Sequence, residues 1–125
     1  MSKKIKRLTE QQAFNKVWRW FVRDKKPQSI KDGCCMYRGP MGARCAAGVC
    51  IPDSLYTKEL EGSILTREVA RFIPILEALP EGRLMPAMQA LHDVNGVQRR
   101  PAFTARMREG LMAIAKEYRL KVPSR

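Results

Sequence analysis

Apolar residues recur at helical spacing along most of this chain. Phe14, Val17, Trp18, Phe21 and Val22 share one face of a 3.6-residue period, with Lys16, Arg19 and Arg23 opposite. Thr9-Glu10-Gln11-Gln12 precedes them as a capping box, with Thr9 as N-cap and Gln12 at the third helical position. The pattern predicts a helix to about Arg23, and Pro27 closes it. Pro101 opens a second long helix with Phe103, Met107, Leu111, Ile114 and Tyr118 as its core stripe, while Arg106, Arg108 and Lys116 face away. Between the two, Thr66 caps a segment whose apolar face is Val69, Phe72, Ile73 and Leu76. Pro74 inside it predicts a kink or two short helices. Pro80–Gly82 reads as a turn, Pro86 suits the start of a helix, and Ala87–Val94 follows, stopped by Asn95-Gly96.

The segment from Cys34 to Tyr56, CCMYRGPMGARCAAGVCIPDSLY, breaks this pattern and holds all four cysteines. Gly39-Pro40-Met41-Gly42 is a turn signal. Its flanks predict a hairpin of Cys34–Arg38 against Ala43–Ala47, with Met36 opposite Cys45 and Tyr37 opposite Arg44. In that register Tyr37 and Arg44 form a cation–π pair. Gln28–Gly33 reads as a polar linker and Gly48–Asp53 as a connector. Asp53 caps a short helical stretch that Glu61-Gly62 ends. A lone hairpin is marginal in water, so helices must cover it. The expected fold is a single α+β domain over 9–122, mostly α-helical, with about four to five helices around one β-hairpin. A basic flexible arm over 1–8 precedes it.

Composition adds a charge asymmetry. The chain has 125 residues and a formal charge of +12. Residues 1–26 hold nine Lys/Arg and two acids, 98–125 hold eight and two, and 27–97 hold seven and eight. The excess sits at the two ends. If these meet in space they make one positive face suited to nucleic acid, a nucleotide or an acidic protein. Its candidate residues are Lys3, Lys4, Lys6 and Arg7 in the arm, Lys16, Arg19, Trp20 and Arg23 on the first helix, and Arg99 and Arg100 before the last. Trp20 lies toward the basic side, where it can stack on a base or pack under the hairpin. No apolar run approaches the roughly 18 residues of a membrane span, and no apolar stretch follows the basic N-terminus as in a signal peptide. The expected setting is cytoplasmic, with reduced cysteines.

The motifs of the middle segment resemble those of a family of short, uncharacterised proteins of tailed phages and bacteria. The shared pattern is met by Cys35, Tyr37 and Arg38; by Gly42, Arg44, Cys45, Ala46 and Gly48; by Ile51, Asp53 and Tyr56; by Glu61 and Gly62; and by Leu91, His92 and Asp93. The resemblance covers roughly residues 13–120. It implies an α+β fold and a phage-type origin, and it marks these positions as a possible site. It brings no settled activity.

Three chemistries are open to these residues. Cys35, Cys45 and Cys50, with Cys34 or His92, supply enough ligands for zinc, although the spacing lacks the usual paired knuckle and buried free thiols account for it as well. Cys45 or Cys35 with His92, and Asp93 or Glu61, form a potential nucleophile–base–acid set. Tyr37, Arg38, Arg44, Tyr56, Glu61 and His92 form a potential anion or nucleotide site, because Arg presents a planar fork to phosphate; alternatively Arg44 pairs internally with Glu61 or Asp53. The favoured expectation is a non-enzymatic phage-type accessory protein that needs no cofactor. It binds an anionic target (nucleic acid, a nucleic-acid-handling host or defence complex, or a nucleotide signal) and so modulates host defence. A small Cys/His enzyme and a zinc-stabilised interaction module are the alternatives.

Overall fold

The computed structural model describes residues 5–93 and 100–124, with the side chain of Arg100 outside the description. Over these residues the chain is a mostly helical α+β domain: five α-helices and one two-stranded antiparallel hairpin. The helices are α1 (Glu10–Trp18), α2 (Ala46–Cys50), α3 (Ile73–Ala78), α4 (Leu84–Asp93) and α5 (Arg100–Tyr118). The strands are β1 (Ile30–Lys31) and β2 (Cys34–Cys35). No described helix is long and apolar enough to cross a membrane.

The capping box forms as its sequence predicts. Gln12 N–H donates to Thr9 Oγ1, and Thr9 N–H donates to Gln12 Oε1. After Trp18 the helix widens into a π-helical turn over Arg19–Arg23. Phe21 then points into the core, edge-on to Phe103, and Trp20 turns toward the hairpin segment. On α5, Phe103, Met107, Leu111 and Ala115 are buried at successive four-residue steps, forming one stripe against the N-terminal segment. Gly110 lets α4 approach: a Cβ there would lie 2.3 Å from Leu91 Cδ1.

The hairpin is not where the turn signal at 39–42 places it. The strands pair Ile30 with Cys35 and Lys31 with Cys34 about Asp32-Gly33. Asp32 and Gly33 have φ of 52° and 79°, the two positive values that a tight type I′ hairpin turn requires. The segment expected to be a linker is therefore half of the hairpin. Of the expected Cys34–Arg38/Ala43–Ala47 ladder, one bridge survives, Arg38 to Arg44, a residue out of the expected register. The reason lies after Cys45. Ala46–Cys50 is helical, not extended, because four of its five residues are buried between α1 and α4, where a helix satisfies its own backbone. Cys45 caps it, its Sγ accepting from Gly48 N–H at 3.4 Å.

Small residues make α2 possible. Gly48 sits so close to the hairpin segment that a Cβ would lie 1.8 Å from the Tyr37 carbonyl oxygen. Two short 3₁₀ turns, Asp53–Leu55 and Lys58–Leu60, lead to Glu61 and to Gly62, whose φ is 81°. Pro74 divides its segment as expected, into a 3₁₀ turn over Ala70–Phe72 and then α3. Phe72 and Ile75, rather than Ile73, face inward. Two residues assigned to the arm are tied to the domain. Leu8 N–H donates to Ala78 O, and Arg7 Nη1 donates to the carbonyls of Leu76 and Leu79, closing the C-terminal end of α3. The expected stop at Asn95-Gly96 lies outside the described residues.

Gly48→Ala is expected to destabilise the protein by about 2–3 kcal/mol, the cost of overpacking against an immobile backbone. Urea denaturation measures it. A variant that unfolds at the wild-type midpoint would show that α2 and Tyr37 are not held this close.

Candidate functional site

Tyr37, Arg38, Tyr56 and Glu61 come together, with Arg44 beside them. Their groups face one another. The Glu61 carboxylate accepts the backbone N–H of Tyr37 at 2.9 Å and of Arg38 at 3.0 Å, one on each oxygen. Tyr56 Oη donates to Oε2 of the same carboxylate at 2.6 Å. Arg38 donates through Nη2 to Ile51 O at 3.0 Å and to Asp53 at 2.6 Å, and its guanidinium lies over the Tyr56 ring at 4.5 Å. Tyr37 Oη donates to Ser63 O, and its ring meets Phe72 edge-on. Burial, then its bond to Glu61, pushes the Tyr56 phenol up to about 12. Burial does the same to Tyr37. The carboxylate is thus taken by two backbone amides and a phenol, Arg38 is taken by Asp53 and the Ile51 carbonyl, and the cluster fastens the 37–38 backbone to the 51–63 loop. Arg44 stands at the edge. It is 3.7 Å from Asp53, and its guanidinium lies 5.3 Å from the centroid of Trp20, not over Tyr37.

His92 lies apart, at the end of α4, and is fully buried. Its Nε2 accepts Ser29 N–H at 3.0 Å, so the ring proton sits on Nδ1, which donates to Asp93 Oδ1 at 2.7 Å. The ring packs edge-on against Phe103 and tilted against Phe21. Both nitrogens are engaged, and neither has a proton-accepting lone pair open to a substrate. Asp93 also receives both Gln89 Nε2 bonds and a hydrogen bond from the Cys35 thiol. Burial alone would raise the Asp93 carboxyl; the bonds from His92, Gln89 and Cys35 together hold it below its ordinary value. The order is thiol, carboxylate, imidazole, amide. A nucleophilic cysteine needs imidazole next to sulfur. Here burial and the neighbouring carboxylate push Cys35 up to about 11.

The four cysteines do not converge on one point. Cys34 and Cys35 are exposed on β2, whereas Cys45, the N-cap of α2, and Cys50, its last residue, are buried. Desolvation pushes each buried thiol up to about 12, and Cys50 Sγ points at the Ala13 carbonyl. Of the zinc set Cys35, Cys45, Cys50 and His92, only Cys35 and His92 join a compact donor group, with Asp93, whose ligand atoms lie within 4.8 Å of one another. A metal on His92 Nδ1 would move the ring proton to Nε2, facing the Ser29 N–H donor to donor. The donor set does not suit a metal in this arrangement.

The basic ends meet. Gln11 Nε2 donates to Lys121 O while Lys121 N–H donates to Gln11 Oε1, both at 2.8 Å, so the C-terminal segment is held along α1. Gln11 and Asn15 of α1 and Arg19 of the π-helical turn, spaced four apart, form one wall of a groove of about 470 Å³; Lys121 to Ser124 form the other. Lys16, Arg19, Lys116 and Lys121 are exposed. Trp20 is half-buried, with Lys26 Nζ at 5.2 Å and the Arg44 guanidinium at 5.3 Å from its ring. Arg23 pairs with Asp24 at 2.8 Å, and Arg7 is engaged at α3. Lys6 is exposed. Lys3, Lys4 and Arg99, and the side chain of Arg100, lie outside the described residues.

A second, larger groove, of about 1020 Å³, runs beside β2 between the 62–67 loop, α3 and α4. Met36, Leu65, Leu76, Leu79 and Met85 line it, and Ile64 stands 84% exposed at its rim. Its polar floor is Asp93, Gln89 and Cys35, already bonded to one another. Gln11, Lys121, Lys26, Gln89 and Ser29 are the contributors that sequence reasoning did not single out. A polar stripe at 11, 15 and 19 was the signal available for the first.

Comparison with known proteins finds no match: no protein-family model, no curated protein and no solved structure is similar to this chain.

Glu61→Ala should strip partners from two backbone amides and one phenol and cost about 2–4 kcal/mol; Glu61→Gln should not rescue it fully, since its amide would face an N–H donor. Denaturant midpoints of the three proteins decide. The lowered Asp93 value has a sign as well. Its ionised form is favoured in the folded state, so its contribution is present above the unfolded value near pH ~4 and is lost as pH falls through the lowered folded one. Melting curves across that range should show an acid loss that Asp93→Asn lacks.

Proposed function

We propose that this protein is a non-enzymatic binding protein whose basic face takes nucleic acid. The observation that carries the reading is the meeting of the two basic ends: Arg19, just after α1, and Lys121 of the tail line one groove, closed by the reciprocal Gln11–Lys121 bonds. Cations fixed on one face gain affinity by releasing counterions from a phosphate backbone. The engaged state of Arg38, Glu61 and Tyr56 argues against a small nucleotide held by the hairpin segment. The occupied nitrogens of His92 argue against a thiol enzyme. The motif resemblance supports a phage-type accessory role, in which such binding interferes with a host defence process. An acidic host protein is the competing target.

Affinity for DNA or RNA should fall by several decades per decade of salt if six or more phosphates are contacted. Arg19→Ala with Lys121→Ala should lower the slope by about one per lost contact and weaken all sequences alike. Fluorescence anisotropy across a salt series measures both. Salt-insensitive binding, or none at low salt, overturns the reading; partner capture that survives nuclease treatment identifies the acidic protein instead.

A further inference from the structure

The turn over Pro40–Gly42 has a feature that its packing does not explain. Met41 is 99% exposed, the extreme among the described large apolar residues, and its φ is 58°. A non-glycine side chain at positive φ costs free energy, and an apolar one fully in water gains nothing by burial. The turn is nevertheless held stiffly. Gly39 N–H donates to Ala43 O at 2.8 Å, Ala43 N–H donates to Pro40 O at 3.1 Å, and the Arg38–Arg44 bridge closes its base. Below that, Glu61 grips the Tyr37 and Arg38 amides. Pro40 and Met41 therefore form an apolar knuckle on a rigid stem.

Cations surround the stem. Arg44 leaves the bridge to lie over Trp20, whose ring also carries Lys26. Asp53, 80% exposed, is the nearby acid; its carboxylate is shared by Arg38 and Arg44. Proteins that kink a duplex combine these two elements, a Pro or Met wedge between base pairs and basic side chains on the flanking phosphates. We infer that the Pro40–Met41 knuckle is a wedge that enters a base step of duplex DNA, with Arg44 and Lys26 on the adjacent backbone. This rests on the nucleic-acid reading above and adds to it a deformation of the bound duplex.

Unstacking is read directly with short DNA duplexes carrying, at successive positions, a fluorescent adenine analogue whose emission stacking quenches. Binding is read separately by anisotropy. Wild-type protein should raise the emission at some position. Met41→Gly relieves the positive φ and should raise the melting temperature, yet it should lose the emission rise and bind roughly three- to ten-fold more weakly. Met41→Leu should keep the rise. Binding by wild type without any rise overturns the wedge and leaves the basic face standing. So does a Met41→Gly variant that is stabilised but unstacks DNA like wild type, which would make Met41 a turn residue only. Absence of binding at low salt removes both.

Discussion

The Glu61 carboxylate holds the middle of this molecule together. Buried backbone N–H groups need partners. The chain opposite Tyr37 turns helical at Ala46, and Arg38, although it bridges Arg44, turns its own N–H to the other side, so neither amide finds a partner in a sheet. A carboxylate with one oxygen for each amide substitutes for the missing strand. Charge-assisted bonds of this kind are stronger than neutral ones. The consequences spread outward. With Tyr37 fixed, its carbonyl can lie against Gly48 and accept Cys45 N–H, which seats α2 between α1 and α4. With Arg38 fixed, its side chain reaches Asp53 and the Ile51 carbonyl and ties down the following loop. Tyr37, Arg38, Tyr56 and Glu61 are thus bonded to one another and to the neighbouring loop.

A parallel arrangement links the hairpin to α4. His92 accepts the Ser29 N–H on Nε2 and donates a hydrogen bond from Nδ1–H to Asp93, and Asp93 also accepts from the Cys35 thiol. The sole histidine is a structural crosslink between sheet and helix. The Glu61 and Asp93 carboxylates and both His92 nitrogens are bonded within these clusters, although Arg38 Nε and Ser29 Oγ are buried without a hydrogen-bond partner; the proposed recognition accordingly rests on the surface charge. That charge is organised by packing: α5 lies against the N-terminal segment because both carry apolar stripes, and the segment after α5 then brings Lys121 into one groove with Arg19.

The helices were legible because periodicity and capping chemistry agree. Thr9 and Gln12 marked one start, Pro101 and the stripe at Phe103, Met107 and Leu111 another, and Pro74 the division before α3. The hairpin was not. Asp32-Gly33 is a stronger turn signal than Gly39-Pro40, but its strands are two residues long, too short for alternation to show. Ala43–Ala47 reads as strand because the turn signal before it suggests a hairpin, although Ala favours helix over strand, and burial between two helices seats α2 there. Among the candidate site residues, the gathering of Tyr37, Arg38, Tyr56 and Glu61 was legible from their motif, but whether they face outward or one another depends on backbone donors that no side-chain pattern records.

The clasp between Gln11 and Lys121 spans 110 positions of sequence. A contact of that range closes late, since the chain between must first be ordered. During synthesis the first basic helix leaves the ribosome long before the tail that completes the groove exists. The shape of the face therefore depends on both segments being in place: without 121–124 the cations of the first helix would remain, but the groove they line would not, and charge would stand where a formed surface had been.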